Sequence, residues 1–209
     1  ILKMGLATSY EAIKKANNPH LDAIIAGTGF GYLEDTSRFL FKMTNPADRS
    51  MNPTAFIQST HNAISSLIAI NLKNNGYNNT FVHSGFSFES ALDDAIMLLK
   101  SGDADNVLVG GIDELANEVY DLLKRLQAAR IQTKKKELSI QPEKTFCFGE
   151  GSSFFVLSDK PDSGSPVEVS DFKILYKPDN VLLMSVYKNL TFNKDIDFFL
   201  LGKNNERMN

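Results

Sequence analysis

Residues 79–111 contain the feature that most restricts the fold, because a strand, a tight turn, an amphipathic helix and a second strand follow one another. Asn79–Val82 is a short apolar strand that leads through the turn His83–Phe88 into the helix Phe88–Lys100. The fully apolar segment Asn106–Val109 is predicted as the next strand. The helix residues that recur at helical spacing and should face the core are Ala91, Leu92, Ala95, Ile96 and Leu99.

The rest of the chain continues the alternation of helix and strand. Further helices are predicted near residues 4–16, 35–43, 60–73, 116–126 and 180–190. Further strands are predicted near residues 21–26, 152–158, 167–176 and 196–201. Gly102 is placed as the C-terminal cap of the helix 88–100, and Gly110-Gly111 as the end of the strand 106–109. Such alternation favours an α/β fold with a mainly parallel sheet covered by helices.

Composition sets the broad class of protein. The 209 residues are 43% apolar and 22% charged, which is typical of a globular protein with a substantial core. A net charge of −3 gives no reason to expect a nucleic acid or membrane surface as partner, and no apolar run reaches the ~18 residues of a membrane span. With one cysteine and no signal peptide, a cytoplasmic location is expected. The start at Ile1 and the end at Asn209 are those expected of a piece of a longer protein.

Two glycine-containing motifs do not fit the functions that they first suggest. The cluster Gly27-x-Gly29-x-Gly31 follows a strand, but its third glycine falls one place early for a dinucleotide loop and Tyr32 occupies the required position. The stretch Gly85-Phe86-Ser87-Phe88-Glu89 lacks the glycine that a serine-hydrolase elbow needs two residues after the serine. Both are predicted to be ordinary sharp turns.

Candidate reactive side chains are few. His20 precedes a strand and is expected to be exposed, whereas His61 and His83 are both candidates for side chains that point toward one central cavity. Cys147 lies between two phenylalanines and is expected to be a buried structural thiol. No cluster of histidine, cysteine and carboxylate has the spacing of a metal site, so no metal is predicted.

Three blocks of sequence, in order and with compatible spacing, carry a resemblance to a known family. The blocks are PTAFIQSTHNAISSLIAINL at 53–72, HSGFSFESALDDAIMLLKSGDADNVLVGGIDE at 83–114 and FGEGSSFFVLSD at 148–159. The second block includes Gly102-Asp103-Ala104-Asp105 and the pair Gly110-Gly111 ahead of Asp113-Glu114. Together they resemble the N-terminal half of β-ketoacyl synthases, which belong to the thiolase superfamily.

The resemblance implies a thiolase-like α/β fold, in which a mixed, mainly parallel sheet is sandwiched by helices. Residues 1–162 would form the N-terminal half, and residues 163–209 would begin a second half. The helix Phe88–Lys100 would lie in the middle of the fold and be almost inaccessible, while Asp93-Asp94 would face water or pair with a neighbour.

The same resemblance places the family's nucleophilic cysteine at Gly85, where this chain has no thiol. Condensation in the family depends on a thiolate at a helix N-terminus that accepts the acyl chain. It also depends on two histidines, and no histidine follows His83 in this sequence. Self-sufficient condensation is therefore not expected.

A family member without its nucleophile is similar to the chain-length factors of polyketide and aryl polyene systems. The resemblance thus implies a non-condensing partner subunit in fatty acid, polyketide or aryl polyene synthesis. The chain would form a homodimer, or a heterodimer with an active β-ketoacyl synthase. An acyl carrier protein would be the other partner, with acyl-phosphopantetheine as substrate and no further cofactor.

The aromatic residues around Gly85 leave two interpretations open. Phe81, Phe86 and Phe88 are candidates for the wall of an acyl tunnel, or they fill the space that the catalytic groups have left.

An active enzyme is the alternative to the silent partner. It would be an acyltransferase or thioesterase-like enzyme that uses Ser84, Ser87 or Cys147 as nucleophile and His61 or His83 as base. Such a pair must lie within ~3.2 Å or be bridged by one water.

Overall fold

The structure is a computed structural model that describes residues 1–45, 53–117, 120–121, 124–125, 149–160, 167–175, 178–192 and 196. The side chains of Ala55 and Ser84 are outside this description. The chain divides into two units, Ile1–Lys160 and Pro161–Asn209, and each is described by itself. The assignment of a family half to 1–162 and of a second half from 163 onward stays a prediction.

A mixed sheet of four strands forms the centre of the first unit. The strands are β1 Ala23–Gly27, β2 Tyr77–Phe81, β3 Asn106–Asp113 and β4 Gly151–Ser158. Their order across the sheet is β2-β1-β3-β4. β1 pairs in parallel with β2 and β3, whereas β3 and β4 are antiparallel, so the predicted mixed, mainly parallel sheet is confirmed.

Helices cover both faces of this sheet. In the first unit, α1 Leu2–Lys15 and α4 Ala63–Leu72 pack on one face and α5 Ser87–Ser101 on the other, while α2 Leu33–Thr44 and α3 Pro53–Gln58 pack on each other. The short 3₁₀ helix Ser84–Phe86 comes directly before α5, and the described residues from 117 to 125 are also helical. In the second unit, α6 spans Asn180–Thr191 and is capped by Asp179, whose side chain accepts the N–H of Leu182. No helix in the described part of the chain combines the length and apolarity needed to cross a membrane.

The alternation of side chains along the strands divides the core into two clusters. On one face, strand residues such as Ile24 and Leu108 pack against α1 and α4. On the other face, strand residues such as Ile25 and Val109 pack against Ala91 and Ala95 of α5. Because successive strand residues point to opposite faces, one short apolar strand such as β1 supplies both clusters, and all five of its residues are buried.

The bounds of α5 differ from the predicted helix 88–100 by one residue at each end, because the signal that ends the helix, Gly102, is local in the sequence. Gly102 caps the helix with a φ of +78°, a left-handed conformation in which glycine costs least. One expectation is wrong, because the helix is not almost inaccessible: Met97 on its outer face is 61% exposed. α5 packs against the sheet with a single face, and among the described residues of the first unit no other element covers its far side.

Other expectations differ from the structure in instructive ways. β3 continues through Gly110-Gly111 to Asp113 because both glycines pair with β4, so these glycines do not end the strand. The helix expected over 60–73 is α4, which begins at Ala63, and a separate short helix that was not expected, α3, precedes it. Residues 167–175 form no strand, and most of them are exposed. The strand expected at 196–201 lies outside the described residues except for residue 196.

Candidate functional site

The candidate site lies at the edge of the sheet where the three parallel strands end. His83 and the 3₁₀ helix follow β2, the loop 28–32 follows β1, and Asp113 ends β3. Parallel strands bring their carboxyl ends to one edge, and open α/β sheets bind ligands outside that edge. The described contacts join these segments directly, since the N–H of Thr28 donates to the carbonyl of Phe81 at 3.0 Å.

Gly85 lies in the 3₁₀ helix, immediately before α5, and is exposed. Among the described residues, the glycines with positive φ are Gly31 and Gly102, so Gly85 has a backbone conformation that any residue can adopt. The backbone at this position therefore does not require glycine. A cysteine would be compatible with the local backbone, and the missing thiol is a chemical rather than a conformational feature of this turn.

Ser87, one of the candidate nucleophiles, is the first residue of α5 and is 4% exposed. Its Oγ accepts a hydrogen bond from the backbone N–H of His83 at 2.8 Å. This bond joins the first and last residues of the turn between β2 and α5. Ser87 thus helps to hold the turn at residues 83–87, called the elbow below, in its conformation. The side chain of Ser84 lies outside the described residues.

His83 makes a contact that was not predicted from the sequence. Its Nδ1 lies 3.1 Å from the Oγ of Ser90, and its ring packs edge-on against Phe81 with 5.8 Å between centroids. Ser90 is the fourth residue of α5 and half-buried. The direction of helical side chains could have revealed it, because they tilt toward the N-terminus and so return toward the preceding turn.

His61 is placed in the turn between α3 and α4 and is exposed. Its ring covers Gly31, where any Cβ would collide with Nδ1 of His61. Gly31 also has a φ of +74°, which favours glycine whatever the position of the exposed His61 ring. The convergence of His61 and His83 on one cavity stays a prediction. Cys147, the remaining candidate, lies outside the described residues.

Gly27 explains how closely α5 approaches the sheet. A Cβ on Gly27 would lie 2.5 Å from the carbonyl carbon and oxygen of Ser87 and 2.6 Å from the N atom of Phe88. These are backbone atoms, so no side-chain rotation could relieve the overlap. Gly27, the last residue of β1, therefore sets the position of the first turn of α5, and with it the position of the turn at residues 83–87.

Acidic residues hold the neighbouring loops by accepting backbone hydrogen bonds. Oδ1 of Asp113 accepts the N–H of Gly29 at 2.6 Å and the hydroxyl of Thr28 at 3.1 Å. Glu114 accepts the N–H of Glu34 at 2.9 Å. The acidic pair after Gly110-Gly111 thus acts as an anchor for the loop that follows β1.

The three candidate tunnel phenylalanines have different surroundings. Phe81 is half-buried and packs against the core cluster between the sheet and α5. Phe86 is 40% exposed. Phe88 lies over Gly111, and its ring centroid is 6.4 Å from that of Phe155. All three rings belong to the segment around Gly85, while a tunnel for an acyl chain stays a prediction.

Tyr77 and Asp94 join β2 to α5 behind the elbow. The hydroxyl of Tyr77 donates to Oδ2 of Asp94 at 3.1 Å, which agrees with the expectation that Asp93-Asp94 faces water or a neighbour. Partial burial, followed by this hydrogen bond and the negative charge of Asp94, raises the pKa of Tyr77 above its usual range.

Comparison with known proteins identifies the family. The family model of the β-ketoacyl synthase N-terminal domain matches residues 1–163, and the chain belongs to this family. A comparison with curated proteins found no significant match. Solved structures with similar folds were found as well.

A β-ketoacyl synthase from Burkholderia phymatum STM815 has a TM-score of 0.59 and 16% identity, over 75% of this chain and 41% of that chain. The ishigamide ketosynthase/chain length factor has a TM-score of 0.56 and 21% identity, over 76% and 43%. The ketosynthase ApeO in complex with its chain length factor ApeC, from Xenorhabdus doucetiae, has a TM-score of 0.49 and 21% identity, over 57% and 50%. The chain thus spans half or less of these neighbours' length, and the likeness shows the fold alone.

Proposed function

We propose that this chain is a non-condensing partner subunit, of the chain-length-factor type, for an active β-ketoacyl synthase. The observation that carries the proposal is Gly85, at the start of α5 in a chain of the β-ketoacyl synthase family. Glycine has no atom that could form a thioester, whereas condensation needs a thiolate to hold the acyl chain. Because the backbone at Gly85 accepts any residue, the missing thiol points to a changed role.

The edge of the sheet supports the proposal that a second subunit binds here. β2, which leads to the elbow, is the terminal strand of the described sheet, and Tyr77–Phe81 are exposed or half-buried. A terminal strand presents unpaired N–H and C=O groups and is ready to pair with another strand. One structural neighbour is a ketosynthase/chain length factor, which favours a heterodimer over a homodimer.

The substrate in this proposal is an acyl chain carried as a phosphopantetheine thioester on an acyl carrier protein, in fatty acid, polyketide or aryl polyene synthesis in the cytoplasm. Phe81, Phe86 and Phe88 would limit the length of the chain that the partner synthase extends. The exposed ring of Phe86 and the half-buried rings of Phe81 and Phe88 support this role, because an acyl chain is bound by apolar contact.

The first test is condensation by the chain alone. The purified protein is incubated with acyl carrier protein loaded with acetyl and malonyl groups, and products are measured by mass spectrometry. No β-ketoacyl product is expected from the chain alone, whereas products of altered length are expected when an active synthase is added. Carbon–carbon bond formation by the chain alone would contradict the proposal.

A variant sharpens this test. Gly85→Cys restores a thiol at the elbow without a change of backbone conformation. We expect a stable acyl adduct at residue 85 in the variant after incubation with an acyl thioester, located by peptide mass spectrometry. If the variant gained no adduct while remaining folded, the elbow would not be an acyl-binding position, and the proposal would lose its basis.

A further inference from the structure

We infer that His83 and Ser90 form a catalytic pair with which this chain hydrolyses acyl thioesters. Nδ1 of His83 lies 3.1 Å from Oγ of Ser90, within the range in which an imidazole removes the proton of a hydroxyl nucleophile. His83 is exposed and Ser90 is half-buried, so a substrate can reach both. The inference is independent of the role as a partner subunit, because a hydrolytic subunit forms no carbon–carbon bond either.

The imidazole is held in the orientation that the reaction needs. The backbone N–H of His83 is bonded to Oγ of Ser87 at 2.8 Å, and the ring packs edge-on against Phe81. These two contacts restrain the backbone and one side of the ring while Nδ1 lies beside Oγ of Ser90, and Nδ1 accepts the serine proton in the tautomer that carries its own proton on Nε2. Preorganisation of this kind lowers the cost of reaching the reactive geometry.

The position of Ser90 on α5 suits the charge that develops during the reaction. Ser90 is in the first turns of the helix Ser87–Ser101, and helical side chains tilt toward the N-terminus. The N-terminal end of a helix carries partial positive charge, which stabilises an oxyanion beside it. Phe86, which is 40% exposed, and the half-buried Phe88 offer apolar surface for the acyl chain.

The reaction consists of two transfers of the acyl group. Oγ of Ser90 attacks the thioester carbonyl, its proton passes to Nδ1 of His83, the C–S bond breaks and the leaving thiolate takes that proton. Water then gives a proton to His83 and attacks the acyl-serine ester, the C–O bond breaks and Ser90 recovers its proton. The products are a carboxylic acid and a thiol, and no oxidant or reductant is consumed.

The test uses the butyryl thioester of N-acetylcysteamine and follows the release of thiol, with the single cysteine of the protein counted in the blank. The unaltered chain should hydrolyse the thioester faster than buffer does. Ser90→Ala and His83→Ala should each lower the rate at least about tenfold, since a positioned base contributes ~10²–10⁴-fold. Equal rates in the unaltered chain and Ser90→Ala, or no rate above buffer, would overturn the inference.

Two control variants remove the same kinds of side chain, a serine and a histidine, at positions away from the proposed pair. Ser101→Ala removes a hydroxyl at the far end of α5, where Oγ is bonded to the carbonyl of Leu98. His20→Ala removes an imidazole that is 87% exposed and lies beside Asp22. Both controls should keep the full rate of thioester hydrolysis. If they lost as much rate as Ser90→Ala and His83→Ala, the loss would come from a damaged fold and not from the pair.

A second measurement needs no variant and remains decisive if Ser90→Ala does not fold. The unaltered chain is treated with a fluorophosphonate, which labels serine hydroxyls activated by a base, and the label is located by peptide mass spectrometry. Labelling of Ser90 is expected. Labelling of another residue, or no labelling, would overturn the inference while leaving the role as a partner subunit untouched.

Discussion

The helices on one face of the sheet, α1 and α4, pack against it through large side chains, whereas the middle of α5 packs against the other face through small ones. Ile64 and Ile68 of α4 are at most 1% exposed against the first face. On the second face, the helix contributes Ala91 and Ala95, both 0% exposed. We therefore expect the first face to lose stability when volume is removed, and the contact between α5 and β1 on the second face to lose stability when volume is added.

The largest effect should come from deleting volume on the first face. Ile68→Ala should lower the free energy of unfolding by about 2–5 kcal/mol, because the side chain is fully buried and its removal leaves a cavity. Chemical denaturation measures the change. Ile70→Ala on the same helix is the matched control, since Ile70 is 69% exposed and should change stability little. Equal losses in both variants would contradict the placement of Ile68 on the first face.

The next effect should come from adding one methyl group on the second face. Gly27→Ala should cost about 3 kcal/mol, because the new Cβ would lie 2.5 Å from backbone atoms of Ser87. The first turn of α5 would have to move, and Ser90 moves with it. The fluorophosphonate labelling of Ser90 should therefore slow in this variant even where it remains folded. An unchanged melting temperature would show that α5 does not lie as close to β1 as the structure has it.

Adjacent glycines in β3 test whether close approach is a property of a face or of a single position. Gly110 faces the first cluster, and a Cβ there would collide with the ring of Phe154 and the backbone of Ser153. Gly111 faces α5, and its Cβ would lie at ordinary contact distances of 3.5–3.7 Å from Phe88. Gly110→Ala should cost ~1–3 kcal/mol and Gly111→Ala almost nothing, as measured by thermal unfolding. If Gly111→Ala cost more than Gly110→Ala, close packing would be a property of the whole face beneath α5 and not of single glycine positions.

These glycines also show how far the sequence can predict the structure. Periodicity located α5 and β1 to within a few residues, because the core patterns of helix and strand are local. It ended β3 too early, because the neighbour that makes Gly110 necessary is Phe154, which is distant in sequence and adjacent only after pairing. Close approach leaves no periodic pattern, so only the folded chain reveals it.

The candidate site divides in the same way. The sequence identified the elbow, with His83 and Gly85, because a turn between a strand and an amphipathic helix is a local feature. It missed Ser90, whose contact with His83 depends on how the helix returns toward the preceding turn. It interpreted Gly27 and Gly31 as residues of a turn. Gly31 does lie in the turn after β1, with a φ of +74°, whereas Gly27 belongs to β1 and lies against α5.

The smallest effect should come from Tyr32, a polar exception within the first face. Its side chain is 2% exposed, and its hydroxyl has no hydrogen-bond partner among the described residues. Burial, followed by the charges of Asp35 and Glu114, raises the pKa of Tyr32 far above its usual range. Tyr32→Phe should leave stability unchanged or raise it by about 1 kcal/mol, because an unpaired buried hydroxyl is removed without loss of volume.

Tyr77→Phe is the control for this last substitution, since the hydroxyl of Tyr77 is bonded to Asp94. It should lose about 0.5–1 kcal/mol, the net value of one hydrogen bond, so the two tyrosines should respond with opposite signs in chemical denaturation. A loss at Tyr32 would require a buried water that bonds its hydroxyl. In that case the first face would contain a polar pocket, and the contrast between the two faces would rest on α5 alone.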